Sequence, residues 1–206
     1  MIVYSPINLP NLEVNWDKFW DVWNTYSKPL VKVRNMGHSG VPVGPVDAWI
    51  GIDIFRRQFY MPGYFAPLVD LSTLPELAQS VENIKKALPT IECIRIIQST
   101  EDIFSHTDDN LDEWKIRKMF HYTSETSQWY FTKPEDRLGN RHYISLPETT
   151  SWFAYNDKHA WHGSDYDNEH PKLLVQLFFQ EKLSTDLIAD LLEESFKEHK
   201  DYVIEF

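Results

Sequence analysis

The feature that most constrains this chain is a series of short β-prone segments filling its second half. They break roughly every ten residues at Gly, Pro, Asn or Asp. The first, Glu92-Cys93-Ile94-Arg95-Ile96-Ile97-Gln98, runs on through Thr100-Glu101-Asp102-Ile103-Phe104-Ser105 to His106. Others cover residues 116–123, 129–132, 141–146, 151–155 and 173–179. Segments of this length and spacing specify a sandwich or barrel.

The first half is mixed. Trp16, Phe19, Trp20 and Trp23 recur at helical spacing behind Asn15, which suits an N-cap. A second helix is predicted with Ser72 or Thr73 as cap and Pro75 in its first turn. Its buried stripe is Leu77, Val81, Ile84 and Leu88, and Pro89 ends it. Between these helices, residues 37–45 are a Gly/Pro-rich loop, a surface connection or an active-site lid. Its Gly37-His38-Ser39-Gly40 lacks the spacing of a nucleophile elbow, which argues against a serine hydrolase. After Ser184 a last helix puts Ile188, Leu192 and Phe196 on one face. No repeat or composition shift divides the chain. The expectation is one domain over residues 1–206: a helical and mixed flank (1–90), a β-core (91–180) and a C-terminal helix (181–206). The fold class is mainly β with flanking helices, α+β.

A net charge of −11 disfavours binding to a phosphate backbone, so nucleic acid is an unlikely partner. Cys93 is the one cysteine, so neither an intramolecular disulfide nor a cysteine-based zinc site is available. No stretch approaches the roughly 18–20 apolar residues of a membrane span. The class these bounds predict is a soluble, cytoplasmic enzyme or binding protein.

The chemistry resides in His106-Thr107-Asp108. Alternate residues on a strand point the same way, so His-x-Asp at a strand end can turn an imidazole and a carboxylate toward one ion. Two imidazoles and one carboxylate on one face of an octahedron suit iron(II) and leave positions open for cosubstrate and O2. His162 lies 54 residues beyond Asp108, room for several strands, and His159 is its competitor as third ligand. The bland reading is a polar turn, since Asp108-Asp109-Asn110 is also good turn chemistry. A second His-x-Asp, His199-Lys200-Asp201, has no histidine after it to complete a set in this order.

Residues 74–179 resemble the aspartyl/asparaginyl β-hydroxylase family of 2-oxoglutarate/Fe(II)-dependent oxygenases. The resemblance rests on the helix 77–88, the strand 94–98 and Ile103-Phe104-Ser105-His106. It continues through Lys115-Ile116-Arg117-Lys118-Met119, the late strand 150–156, the His162-Gly163 turn and the strand 171–177. It implies a double-stranded β-helix, the cupin-like jelly roll, with Fe(II) on His106, Asp108 and His162. It also implies 2-oxoglutarate as cosubstrate, O2 as co-reactant, and hydroxylation of an unactivated C–H bond in an amino acid or peptidyl residue. Many members lack the acidic ligand that Asp108 supplies here. The late strand usually carries an arginine for the far carboxylate of 2-oxoglutarate, whereas this chain has Lys172. Lysine can neutralise that carboxylate but cannot form a bidentate fork. Arg117 is the second candidate and Arg141 the third, for cosubstrate or an acidic substrate group. Trp152 and Trp161 are core aromatics by default and walls of a substrate pocket on the sharper reading. His121 and His142 lie on predicted strands that could face the interior; His38 and His170 are surface or supporting groups. Three rivals stand beside this reading: a cupin-like metalloenzyme without 2-oxoglutarate, a non-catalytic β-sandwich binding module, and a nucleobase oxygenase.

Overall fold

The computed structural model describes residues 1–29, 49–57, 66–99, 102–107, 114–120, 129–165, 173–179, 183 and 185–206. The glycine-rich loop 37–45, Asp108, His121, His170 and Lys172 lie outside them. In chain order the elements are β1 (Ile2–Pro6), α1 (Trp16–Tyr26), β2 (Lys28–Pro29), β3 (Trp49–Arg56), α2 (Pro75–Ala87) and β4 (Ile91–Ser99). Next come β5 (Ile103–His106), β6 (Trp114–Met119), β7 (Trp129–Thr132), β8 (His142–Tyr143) and β9 (Trp152–Asn156). The chain continues with β10 (Trp161–Ser164), β11 (Leu173–Phe179), α3 (Thr185–Glu198), a 3-10 turn over Lys200–Tyr202 and β12 (Ile204–Glu205).

Among the described residues these strands form a large sheet, β12-β1-β9-β6-β11-β4-β3-β2, and a small one, β5-β10-β7-β8. The run from β4 to β11 is folded back on itself. β4 pairs with β11, β5 with β10, β6 with β9, and β7 with β8, all antiparallel. β11 also pairs with β6, and β10 with β7, which rolls the folded ribbon into two facing sheets. That pairing defines the jelly roll, or double-stranded β-helix.

Side-chain alternation divides the large sheet into two chemically distinct faces. Ile94, Ile96, Ile116, Trp152, Ala154, Leu173, Val175 and Leu177 join one cluster with Phe19 and Trp23 of α1, Leu77, Val81 and Ile84 of α2, and Ile188 of α3. The opposite set, Ile97, Met119, Phe153, Tyr155 and Leu174, joins Trp129 and Phe131 of the small sheet. Helices thus cover the outer face, and the small sheet covers the inner one.

The helices follow the expected patterns with one exception. Asn15 caps α1 through its side chain, accepting from the Lys18 amide at 3.3 Å. At α2 the cap residue is Leu74, with no side-chain cap bond. Ser72 is instead held by Asp70, which accepts from its amide at 2.9 Å and its hydroxyl at 2.8 Å, so neither Ser72 nor Thr73 caps the helix. Two further differences concern strands. The 1–90 flank adds β1, β2 and β3 to the large sheet. β1 is buried on both faces, which erases the alternation by which a strand is usually read, whereas β3 keeps it in Ile50, Ile52 and Ile54. The expected His162-Gly163 turn is strand β10, because Trp161, His162, Gly163 and Ser164 all pair with β7. None of the described helices is long and apolar enough to cross a membrane.

One ion pair pins β3 to β4. Asp53 and Arg95 face each other in register, both fully buried, with Arg95 Nε donating to Asp53 Oδ1 at 2.6 Å and Nη2 to Oδ2 at 3.2 Å. Arg56 adds a third bond to the same carboxylate at 3.0 Å. Removing one partner strands a buried charge. Asp53→Ala is expected to lower stability by about 3–5 kcal/mol, read from the urea midpoint. A change within about 0.5 kcal/mol, the range of an ordinary surface substitution, would contradict this account.

Candidate metal centre

His106 ends β5 and His162 lies in β10, and the antiparallel register makes them direct partners across the small sheet. Cross-strand partners share a face, so both imidazoles enter the interior of the roll. Their ring centroids are 4.4 Å apart at 49°, and each residue is 1% exposed. Two buried imidazoles at this separation can share one ion.

A backbone carbonyl orients one ring, and a carboxylate lies beside the other. His106 Nδ1 donates to the Phe104 carbonyl at 2.6 Å, so Nδ1 carries the proton and Nε2 is the lone-pair nitrogen. His162 Nδ1 lies 3.3 Å from Asp157 Oδ1, with both side chains buried. Metal-binding histidines characteristically present their second nitrogen to a carbonyl or carboxylate, which fixes the ring and raises its basicity. The His106 bond fits a metal bound through Nε2, and the Asp157 carboxylate approaches His162 Nδ1 without completing a hydrogen bond. Asp157 was not among the residues expected from sequence. It sits in the turn joining β9 to β10, and nothing in its local pattern marks it. It lies five residues before His162, and the β9–β10 turn brings the two together.

Aromatic side chains wall the pair. Trp129 stacks on His162 at 5.4 Å and 15°, with Tyr155 at 4.9 Å and Phe131 at 6.4 Å between ring centroids. Beyond Tyr155 lies Arg117, 4% exposed, whose Nη2 donates to the Tyr155 hydroxyl at 3.1 Å. Gln176 of β11 is its cross-strand partner. With Oε1 turned to the guanidinium, Gln176 accepts from Nη1 at 2.7 Å and from Nη2 at 3.1 Å. A buried guanidinium thus stands one aromatic ring away from the histidine pair.

The other expected site residues are placed elsewhere. Trp152 belongs to the outer, helix-side cluster and donates its indole N–H to the Pro10 carbonyl at 3.0 Å. Trp161, next to His162, points the other way, donating to the Pro134 carbonyl at 2.9 Å beneath Arg137. Arg141 stacks over Tyr130 at 4.3 Å and pairs with Asp165 at 2.6 Å, exposed on the outer side of the small sheet. His159 occupies the β9–β10 turn, whereas His162 is the partner of His106. His142 is exposed and packs on Phe206 at 5.0 Å. His199 holds Asn8 at 3.0 Å. Among the described residues no three His, Cys, Asp or Glu side chains come together as a metal cluster; Asp108, two residues after His106, is outside them.

No protein-family model matches the chain, and no curated protein matches it. Solved structures do. A prolyl hydroxylase from Trichoplax adhaerens, in complex with a hypoxia inducible factor oxygen degradation domain peptide fragment, is 8% identical with a TM-score of 0.49. The match covers 80% of this chain and 75% of that one. An oxidoreductase of the 2OG-Fe(II) oxygenase family from Burkholderia pseudomallei is 11% identical with a TM-score of 0.47, covering 81% and 79%. A Pseudomonas putida prolyl-4-hydroxylase is 9% identical with a TM-score of 0.44, covering 88% and 94%. The jelly roll assigned above rests on the strand pairing itself.

The approach of β5 to β10 tolerates no side chain at Gly163. A Cβ there would meet the Tyr130 phenol and come within 2.7 Å of the Ile103 carbonyl on β5. Gly163→Ala is expected to force the strands apart and lower stability by about 1–3 kcal/mol. Thermal denaturation checks this; an unchanged variant would contradict the close approach.

Proposed function

We propose that this protein is a non-haem Fe(II), 2-oxoglutarate-dependent oxygenase that hydroxylates an unactivated C–H bond in an amino acid or peptidyl residue. The observation that carries the reading is the register-locked pair of buried imidazoles, His106 and His162, with rings 4.4 Å apart inside a jelly roll. Asp108 is the proposed third ligand, since a residue two beyond His106 follows the alternation of an extended chain. The donor set of two imidazoles and one carboxylate is that of non-haem iron(II) oxygenases. Bound together, iron(II) and 2-oxoglutarate supply O2 activation and C–H hydroxylation.

The chain's own groups have separate tasks. His106 and His162 hold the metal, the Phe104 carbonyl and Asp157 orient them, and Trp129, Phe131 and Tyr155 keep water from that side. Arg117 is the proposed partner for the far carboxylate of 2-oxoglutarate, with Lys172 as its alternative. Arg117 is already buried in the roll and steadied by Tyr155 and Gln176, so little side-chain freedom is lost on binding an anion. The resemblance to aspartyl/asparaginyl β-hydroxylases supports an amino-acid or peptide substrate.

Anaerobic titration with Fe(II) and 2-oxoglutarate is expected to give a weak visible charge-transfer band, and aerobic turnover to give succinate. Folded protein that shows neither would overturn the cosubstrate assignment. Arg117→Gln is expected to raise the 2-oxoglutarate concentration needed by about 10- to 100-fold with metal binding retained, the loss of one charge-assisted contact. Asp157→Asn is expected to weaken metal binding by about 10- to 100-fold, read by competition with a chelator. Affinity equal to wild type in that variant would remove Asp157 from its orienting role.

A further inference from the structure

A cavity lies on the helix side of the large sheet, against the N-terminal segment. Its volume is about 800 Å³, within the range of small-molecule pockets. Its walls include Trp16, Phe120 and Trp152, with Asn11, Ser151 and Lys118 between them. Alternation along β6 separates this cavity from the centre above: Arg117 faces the interior of the roll, and Lys118 faces the helix side.

Lys118 is an unusual residue for such a wall. It is 3% exposed. Its ammonium lies over the rings of Phe120 and Trp152, 5.5 and 5.6 Å from their centroids. It donates to Asn11 Oδ1 at 2.8 Å and to the Ser151 hydroxyl. Among the described residues both of these acceptors are neutral. The titratable groups facing the cavity besides Lys118 are Glu13, Glu148 and Tyr202, and both glutamates are exposed to solvent. Desolvation pushes the Lys118 amine down to about 8, and the charge of Glu13 only partly opposes it. An apolar side chain of similar length would fill the same aromatic slot without a desolvation cost. Lysines held in such surroundings are the ones that act as nucleophiles toward carbonyl groups.

We propose that Lys118 is a carbonyl-reactive amine and that this cavity captures a small aldehyde or ketone as an imine. The neutral amine attacks the carbonyl carbon, forming a C–N bond. The carbonyl oxygen leaves as water with the two amine protons, and the C=N bond forms with no change of oxidation state. Ser151, in hydrogen-bond contact with the amine, relays a proton toward the departing oxygen. The aromatic walls receive the carbon chain of the ligand. Nothing in this step uses the histidine pair, so it stands or falls independently of the oxygenase reading.

The test uses the wild-type protein, propanal as probe and cyanoborohydride to trap the imine, with peptide mass spectrometry to locate the adduct. At pH 7.5 an amine titrating near 8 is roughly one-quarter neutral, against roughly 0.1% for an ordinary lysine. Lower basicity removes part of that advantage, so labelling of Lys118 about tenfold faster than the exposed Lys18 and Lys133 is expected. Its rate should level off above pH 8, whereas theirs should keep rising toward pH 10. Ser151→Ala should slow labelling several-fold in protein whose circular dichroism is unchanged, and Lys118→Arg should abolish that adduct alone. Labelling of Lys118 no faster than Lys18 and Lys133, or a rate without the break near pH 8, would overturn the proposal. An unchanged rate in folded Ser151→Ala would overturn the relay. The wild-type profile decides the main claim even where a variant fails to fold.

Discussion

The antiparallel register between β5 and β10 sets His106 directly opposite His162, and the proposed chemistry depends on it. Side-chain direction alternates along each strand, so a slip of one residue would turn an imidazole out of the roll. Three features hold the register. β10 is paired on both sides, with β5 and β7. Gly163 lets the Ile103 carbonyl and the Tyr130 ring approach the backbone more closely than any side chain would permit. Trp129 stacks on His162 and ties the ring to the inner core.

The same alternation gives the large sheet two separate chemistries. On its inner face Arg117, Tyr155 and Gln176 form a connected polar group beside the histidines. On its outer face Lys118, adjacent in sequence to Arg117, is enclosed by aromatic rings and the N-terminal segment. Neighbouring residues on one strand therefore carry two buried cations into different environments. The guanidinium keeps its charge in either setting, whereas the amine responds to burial by losing basicity.

Much of this was legible in the sequence. Residues 129–132 and 173–179 carry strand patterns and form β7 and β11, and the stripe Leu77, Val81 and Ile84 is buried as its spacing predicts. His106 and His162 were singled out, and the fold makes them partners. What the sequence hid has physical reasons. β1 is buried on both faces and so shows no alternation. β10 is only four residues long, and its glycine reads as a turn. Asp157 reaches His162 across the β9–β10 turn, a contact set by the turn's geometry and not by residue type. Trp161 adjoins His162 in sequence and Trp152 lies one strand earlier, which suggests walls for a pocket beside the histidines. Alternation sends Trp152 to the helix side, and Trp161 turns away to Pro134 and Arg137.

The central claim is that His106 and His162 together ligate one metal ion. X-ray absorption of the anaerobically Fe(II)-loaded protein counts imidazole ligands directly. The account predicts two in wild type and in His159→Ala, with one lost, or no metal retained, in His162→Ala. A wild-type spectrum without imidazole scattering, or two imidazoles persisting in His162→Ala, would contradict it.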